Sequence, residues 1–331
     1  MSQSATTVDE MGSTRGRVAR AKLASLIQRQ GALIALIAVC VFAAMRYEDF
    51  LTQANLLNVL RQNSMLGLVA LGMTFVILTG GIDLSVGSLL AVAGVIAANL
   101  AGRGVIVAAL AAILFTTLLG FINGLVISRA RIQPFIVTLG MMIAARGLAL
   151  AYTGEESVRV DRLSEGFTWL GRGLIGPIPV PVLILVLAFI AGWVILGHTR
   201  FGRHVFSIGD NEEAARLMGL NVGRVTLGVY ALSGALSGLA GVILASRLGA
   251  GQPVAGMGWE LDAIAAVVVG GTLLTGGQGG VGATFVGVLL LGVIFNLFNL
   301  EGSISPWWQL VLRGAILLLV VIAQNRLNSR K

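Results

Sequence analysis

Charged residues are scarce in this 331-residue sequence. Only 11% of the residues are charged, whereas 56% are hydrophobic. An ordinary soluble domain has about 25% charged residues, so this chain lacks the polar groups needed to cover a soluble globule. The mean hydropathy of +0.90 agrees with this conclusion. The composition therefore indicates an integral membrane protein.

The few reactive side chains exclude several functional classes. Lys22 and Lys331 are the only lysines, and neither follows the glycines of a phosphate-binding loop. The single cysteine, Cys40, excludes a disulfide within the chain. His198 and His204 share one polar loop without carboxylates at ligand spacing, so we expect no metal site and no catalytic site. The net charge of +8 comes without a long basic run or interleaved aromatics, so we also expect no nucleic-acid partner.

Apolar runs of membrane-spanning length recur along the chain. A bilayer core requires about 20 helical residues per span. The runs predict an all-α polytopic membrane protein with about ten transmembrane helices. We expect them at 31–45, 65–81, 85–102, 105–128, 134–152, 179–198, 225–246, 259–275, 281–299 and 307–324.

The distribution of basic residues predicts the topology. With the N-terminus inside, fourteen lysines and arginines fall on inner segments and seven on outer segments. This bias favours a cytoplasmic N-terminus and a cytoplasmic C-terminus. The chain then divides into a basic tail (1–30), a transmembrane domain (31–324) and a short tail (325–331). A cleaved signal peptide is the alternative for the first apolar run, but its polar lead is too long.

The 45 glycines suggest close helix packing and one interruption. Gly234, Gly238 and Gly241 form a small-residue face of the kind that joins membrane helices. The tetrapeptide Leu-Thr-Gly-Gly occurs at 78–81 and again at 274–277, which makes an internal duplication one interpretation. Glycines and a proline between 248 and 258 predict a broken or re-entrant segment there.

Asp83 is the only charged residue between Arg61 and Arg103. A carboxylate at this position can cap the helix that follows, because its oxygens accept hydrogen bonds from the free N–H groups of the first turn. A role in gating or in a substrate path is the alternative.

The polar loop 198–224 contains a second informative pattern. Asp210 or Asn211 can cap a short helix, Glu212 and Glu213 suit its first turn, and Gly219 can end it. We therefore predict a short exposed helix between two membrane helices. Such a helix is either a solvated surface element or a docking site for a cytoplasmic partner.

Three segments of this sequence resemble permeases of ABC importers. Glu213-Ala214-Ala215, followed after three residues by Gly219, matches the E-A-A-x-x-x-G loop of that family. Residues 72–88 and 259–271 resemble the permeases of ribose-type monosaccharide importers. The resemblance extends from about residue 50 to residue 324.

The resemblance implies a bacterial inner-membrane subunit without an ATPase site or a bound cofactor. A separate cytoplasmic ATPase with two ATP-binding halves would hold the loop helix, a periplasmic protein would deliver the sugar, and a second permease subunit would complete the path. The residues implied to couple ATP use to transport are Asn211, Glu212, Glu213, Ala214, Ala215 and Gly219.

A path for a neutral sugar requires polar groups inside the membrane domain. The candidates are Asn63, Thr74, Asp83, Asn99, Asn123, Thr138, Arg146, Asn296 and Asn299. An interhelical hydrogen bond is the alternative for each uncharged candidate. Arg146 is costly in a membrane, and pairing with Glu155 or Glu156 is its alternative. Glu260 and Asp262 match the family segment but could also cap a helix.

Two functions outside this family remain open from the residues alone. An ion-driven secondary transporter would require coupled carboxylates, for which Asp83 and Asp262 are the pair available. A membrane scaffold would leave the loop helix without an ATPase. Among substrates, ribose, xylose, fructose and galactofuranose remain open, and a ribose-like sugar is favoured.

Overall fold

The computed structural model describes residues 30–160 and 165–302, together with separate positions between 305 and 322. The predicted tails lie outside these residues apart from Gln30, and so does much of the predicted helix at 307–324. Within that segment, Trp307 and Trp308 are both helical and exposed.

The described chain is almost entirely helical. The helices are α1 (Gln30–Arg46), α2 (Gln53–Leu78), α3 (Val86–Leu100), α4 (Val105–Ala130), α5 (Pro134–Thr153), α6 (Glu165–Arg172), α7 (Val180–His198), α8 (Arg200–Asp210), α9 (Glu212–Leu217), α10 (Val222–Leu248), α11 (Trp259–Val269) and α12 (Val281–Glu301). A short 3-10 helix, Ala101–Arg103, joins α3 to α4. The all-α prediction is confirmed.

Four two-residue strands complete the described elements. β1 (Val158–Arg159) pairs antiparallel with β4 (Ala250–Gly251), and β2 (Leu174–Ile175) pairs with β3 (Ile178–Pro179) in a hairpin. The β1–β4 pair fixes the start of the predicted interruption, because it holds the chain extended directly after α10. The prediction of a broken segment between 248 and 258 is therefore confirmed.

Seven described helices are long and apolar enough to cross a membrane: α2, α3, α4, α5, α7, α10 and α12. α1 is apolar but shorter, with 17 residues. The predicted span at 259–275 is wrong in length, because α11 ends at Val269 and Gly271 has a positive φ of 108°. The total of ten spans stays a prediction.

The start of the second predicted span is also wrong. α2 begins at Gln53 rather than at residue 65, and the side chain of Thr52 accepts a hydrogen bond from the Asn55 backbone at its N-terminus. Arg61, which we placed in a loop, lies within this helix. The first three turns of α2 carry polar residues, so the apolar runs of the sequence did not predict them.

α10 lies at the centre of the bundle and packs against α2, α3 and α4. The predicted small-residue face serves two neighbours. Gly234 and Gly238 lie against Thr116 of α4, whereas Gly241 lies against Leu90 of α3. A side chain at any of these three glycines would overlap the facing helix, so the backbones approach at the distance that small residues permit.

Candidate functional site

The loop between α7 and α10 contains two helices where we predicted one. α8 ends at Asp210, and α9 follows after the single residue Asn211. The Asn211 side chain accepts a hydrogen bond from Ala214 N at 2.9 Å and caps α9. Gly219, with φ of 83°, ends the turn as expected, because glycine readily adopts this left-handed conformation. α8 was missed because it is short and half polar, although Val205 and Ile208 bury one of its faces.

α9 is exposed on one side only. Ala215, one of the implied coupling residues, is fully buried against the rest of the protein and does not belong to the exposed side. Glu213 is exposed, while Leu217 and Met218 at the C-terminal end are 85% and 71% exposed. Two large apolar side chains at the tip of a short loop helix form a small exposed apolar surface.

The α8–α9 pair rests on the two Leu-Thr-Gly-Gly segments. The Gly277 backbone N–H donates to the Leu78 carbonyl at 3.0 Å, which joins the segments directly. Gly209 of α8 lies against both, and a Cβ there would come closer than 3.0 Å to Leu78 O and Gly277 N. We call Gly80, Gly209, Gly276 and Gly277 the glycine junction. Backbone contact at this junction links the loop to the end of α2 and to the segment between α11 and α12, without compressible side chains between them.

Asp83 lies at the centre of a buried polar network between α2 and α3. Its Oδ1 accepts hydrogen bonds from Ser85 N at 3.0 Å and from Ser85 Oγ at 2.5 Å, and its Oδ2 accepts one from Ser233 Oγ at 2.8 Å. Asn123 of α4 donates to Ser85 Oγ at 3.1 Å. The network joins the turn before α3 to α4 and α10. Asp83 accepts from Ser85, the residue directly before α3, and not from the first turn of the helix as the capping interpretation requires.

Several predicted path residues make interhelical or local bonds instead of lining one space. Thr74 lies 2.7 Å from Thr284 of α12, and Asn296 exchanges two side-chain hydrogen bonds with Asn55. Asn63 donates to the Val59 carbonyl one turn earlier. The contacts of Thr74 and Asn296 fasten α2 to α12, whereas that of Asn63 stays within α2.

The remaining uncharged candidates lie elsewhere. Asn99 donates to the Tyr152 hydroxyl between α3 and α5, and Thr138 donates to the Pro134 carbonyl within α5. Asn299 is exposed on α12. The structure therefore does not bring the predicted path residues together at one site.

Arg146 holds the interrupted segment between α10 and α11. Its Nη1 donates to the carbonyls of Pro253 and Ala255, at 2.5 Å and 2.8 Å. The alternative of pairing with Glu155 or Glu156 is wrong, because the guanidinium donates to these carbonyls instead. Their oxygens have no helical N–H to accept from, so the arginine supplies the donors that a broken helix lacks.

Glu260 holds the other end of the same segment. Its Oε1 accepts from the Gly258 backbone N–H at 3.2 Å, so it caps the entry to α11, as one interpretation of its position suggested. Gly87 of α3 lies against the Gly256 carbonyl and the Glu260 carboxylate. Arg146, Glu260 and the carbonyls of 253–255 place charged and hydrogen-bonding groups beside α3.

A cavity of about 400 Å³ opens at the α9 end of the bundle. It lies between the 79–81 turn, the α4–α5 turn, α9 and the start of α10. Its charged side chains are Arg131, Glu212 and Arg216, and the Tyr230 hydroxyl forms part of its inner wall. The structure places no described group of three or more His, Cys, Asp or Glu side chains where a metal could bind.

Known proteins with similar sequences identify the family of this chain. The family described as branched-chain amino acid transport system / permease component matches residues 55–321. The ribose import permease protein RbsC of Escherichia coli K12 is 42% identical over 304 residues, covering 91% of this chain and 94% of its own. RbsC of Bacillus subtilis is 44% identical over 306 residues, covering 92% and 95%.

A third relative is named for a different sugar. The L-arabinose ABC transporter permease protein AraH of Azospirillum brasilense is 36% identical over 316 residues, covering 95% of this chain and 92% of its own. No solved structure matches the chain significantly. The family match and these identities, together with seven apolar helices of spanning length, show that the chain belongs to this family of permeases, as a multi-pass membrane subunit of the ribose type of ABC importer.

Proposed function

We propose that this chain is the membrane subunit through which an ATP-driven importer carries a ribose-like monosaccharide across the bacterial inner membrane. The observation that carries the proposal is the similarity to two ribose import permeases along more than nine-tenths of the chain. Relatives named for L-arabinose and D-allose keep other sugars open.

The partners follow from the importer family. A separate cytoplasmic ATPase with two nucleotide-binding halves supplies the energy, so this chain binds no cofactor of its own. A periplasmic sugar-binding protein delivers the substrate. A second permease subunit, identical or related, faces this one across the path. α4 and α5 leave most of their residues partly or fully exposed, which supports their contact with a second subunit or lipid.

We place both termini and the α8–α9 loop in the cytoplasm. The basic residues of the loop, Arg200, Arg203, Arg216 and Arg224, agree with the bias of cytoplasmic segments. β1, β4 and the β2–β3 hairpin then lie at the periplasmic side, at the other ends of the same helices.

The ATPase docks on α9, whose coupling set is Asn211, Glu212, Glu213, Ala214, Ala215 and Gly219. Leu217 and Met218 join this set, because they form the apolar tip of the loop. Asn211 and Gly219 fix where α9 begins and ends, and Ala215 anchors it. Motion of α9 reaches the membrane helices through the glycine junction.

The sugar passes beside the interrupted segment 250–258. Broken helices near the middle of a membrane protein expose backbone groups that can bind a polar substrate. Arg146, Glu260 and the carbonyls of 253–255 supply donors and acceptors there, as a hydroxyl-rich sugar requires. The networks of Asp83 and of Asn296 hold the surrounding helices in place.

Uptake measurements test the function. Cells without their own ribose importer receive the chain with its ATPase and binding protein, and labelled ribose uptake is measured with competing arabinose and allose. We expect uptake that depends on the ATPase and persists when a proton ionophore collapses the gradient at constant ATP. Loss of uptake under the ionophore would contradict the proposal and support an ion-driven carrier.

Copurification tests the docking surface. Met218→Glu places a charge on the apolar tip and should abolish recovery of the ATPase with the tagged chain. Leu174→Glu is the matched control, because it changes an exposed apolar residue at the opposite side. Equal recovery of the ATPase with both variants would contradict docking on α9.

A further inference from the structure

The cavity at the α9 end has the features of an anion site. The first turns of α5 and α10 both border it, at Gln133–Pro134 and at Val222–Gly223. First-turn N–H groups have no acceptor within their helix and carry about half a positive charge per helix end. Gly223 has no side chain to cover those groups. These two N-terminal ends contribute positive potential to the cavity, whereas the C-terminal end of α2 at 79–81 contributes negative potential, so a net positive charge comes from side chains.

Two arginines on different elements add full charges. Arg131 ends α4, and Arg216 lies on α9, where it pairs with Glu212 in an i,i+4 ion pair at 2.5 Å. With Glu212 as the only carboxylate among the residues lining this cavity, the lining side chains keep a net positive charge. The last turn of α4 also borders the cavity with its carbonyl end, and Arg131 offsets that negative end.

The backbone at Arg131 is unusual. Its φ is 54°, a left-handed conformation that is unfavourable for a residue other than glycine. Glycine would end α4 more easily at this position. The cost is consistent with a function for the guanidinium at the cavity.

The inner wall contains a buried hydroxyl without a partner. Tyr230 is 1% exposed, and its Oη has no hydrogen-bond partner among the described residues. A buried hydroxyl without a partner is costly, and the cavity is the space from which a ligand could satisfy it. Thr79, Ser128 and Thr226 add three more hydroxyls to the walls. Hydroxyls suit the polar edges of a sugar, and about 400 Å³ accommodates one of pentose size.

We propose that this cavity binds a small phosphorylated sugar from the cytoplasm, with its phosphate between Arg131 and Arg216 and a sugar hydroxyl at Tyr230. Arg131 belongs to the α4–α5 turn and Arg216 to α9, so one phosphate would tie the docking helix to the membrane domain. Occupancy would restrain α9 and slow import when phosphorylated sugar accumulates. The regulatory consequence rests on the proposed function, whereas the binding does not.

The test measures binding to the purified full chain in nanodiscs of neutral lipid, by equilibrium dialysis. Ribose 5-phosphate, ribose and inorganic phosphate are the three probes. We expect ribose 5-phosphate to bind at least about tenfold more tightly than ribose, because charge-assisted hydrogen bonds are the strong ones. Inorganic phosphate should bind more weakly than the ester, since it cannot reach Tyr230.

Variants identify the groups responsible. Arg131→Gln should weaken ribose 5-phosphate binding by about tenfold or more, and Tyr230→Phe by about two- to tenfold, the range for one neutral hydrogen bond. Arg129→Gln is the matched control, because Arg129 is exposed on the same turn of α4 but does not line the cavity. We expect it to bind like the unchanged chain.

Three results would overturn the proposal. Ribose that binds as tightly as its phosphate ester would make the cavity part of the sugar exit. Equal weakening by the variants at Arg129 and Arg131 would show a general effect of charge. Loss of binding in nanodiscs of anionic lipid would identify the occupant as a lipid headgroup. Binding is measured without the ATPase and without transport. A failed binding test would therefore contradict this proposal and leave the proposed transport function, which the uptake assay tests, unaffected.

Discussion

Replacing Asp83 separates a structural role of the carboxylate from a role of its charge. In Asp83→Asn the remaining carbonyl oxygen can still accept from Ser85 N and Ser85 Oγ, and the new amide can donate to Ser233 Oγ. In Asp83→Ala all three hydrogen bonds are lost, and two buried serine hydroxyls lose their acceptor. If the carboxylate only anchors helices, the asparagine variant should transport and the alanine variant should be unstable.

The magnitude follows from these three bonds. Hydrogen bonds within a membrane protein average about 0.6 kcal/mol, so three contribute about 2 kcal/mol. A buried hydroxyl left without an acceptor costs about 1–3 kcal/mol more. With two such hydroxyls, we expect Asp83→Ala to lower the free energy of unfolding by about 4–8 kcal/mol, and Asp83→Asn by less than about 1.5 kcal/mol, one ordinary bond.

The assay combines thermal stability in detergent, followed by size-exclusion fluorescence, with uptake in cells. Asp83→Ala should melt several degrees lower than the unchanged chain, whereas Asp83→Asn should melt close to it and retain uptake. Ser233→Ala is the matched control, since it removes a single one of the three bonds. An asparagine variant of normal stability without uptake would refute the anchoring argument and show that transport requires the charge.

Three further predictions concern the coupling and path residues. Gly209→Ala should lower thermal stability or uptake, because its Cβ would overlap the backbone at Leu78 and cost about 1–3 kcal/mol. Gly197→Ala is the control, since its Cβ meets nothing within 4 Å, and both its thermal stability and its uptake should be normal. Gly219→Trp should insert normally in the membrane yet uncouple ATP hydrolysis from uptake. Gly219→Asn should stay coupled in reconstituted vesicles, because asparagine tolerates the left-handed backbone. Unchanged uptake in the tryptophan variant would argue against the coupling assignment. Arg146→Gln should reduce the maximal uptake rate at least about tenfold, because it loses one charge-assisted hydrogen bond. Immunoblots should show normal amounts of this variant in the membrane. Full uptake would show that the interrupted segment does not belong to the path.

Local signals in the sequence predicted the elements that depend on local chemistry. Asn211 caps α9 and Gly219 ends it because capping needs only a short polar side chain and a permissive backbone within a few residues. The break after α10 was predictable for the same reason, from its glycines and proline. The apolar runs gave most spans to within a few residues, because lipid requires a continuous apolar surface.

Elements with a polar or mixed sequence were missed. α8 and the first turns of α2 carry polar side chains, and only burial against other helices shows why they are helical. The inward direction of Ala215 was equally hidden, because a helix of six residues has no periodicity to reveal its buried face.

The amino-acid sequence by itself determined that this protein lies in a membrane, belongs to the ABC permeases and offers a capped loop helix, because composition, caps and motifs are properties of neighbouring residues. The tertiary structure alone decided that Arg146 binds the carbonyls of an interrupted segment instead of a nearby glutamate. It also brought Arg131, Arg216 and Tyr230 to one cavity. These residues are far apart in the chain, and their proximity comes from helix packing around glycines, which no local pattern encodes.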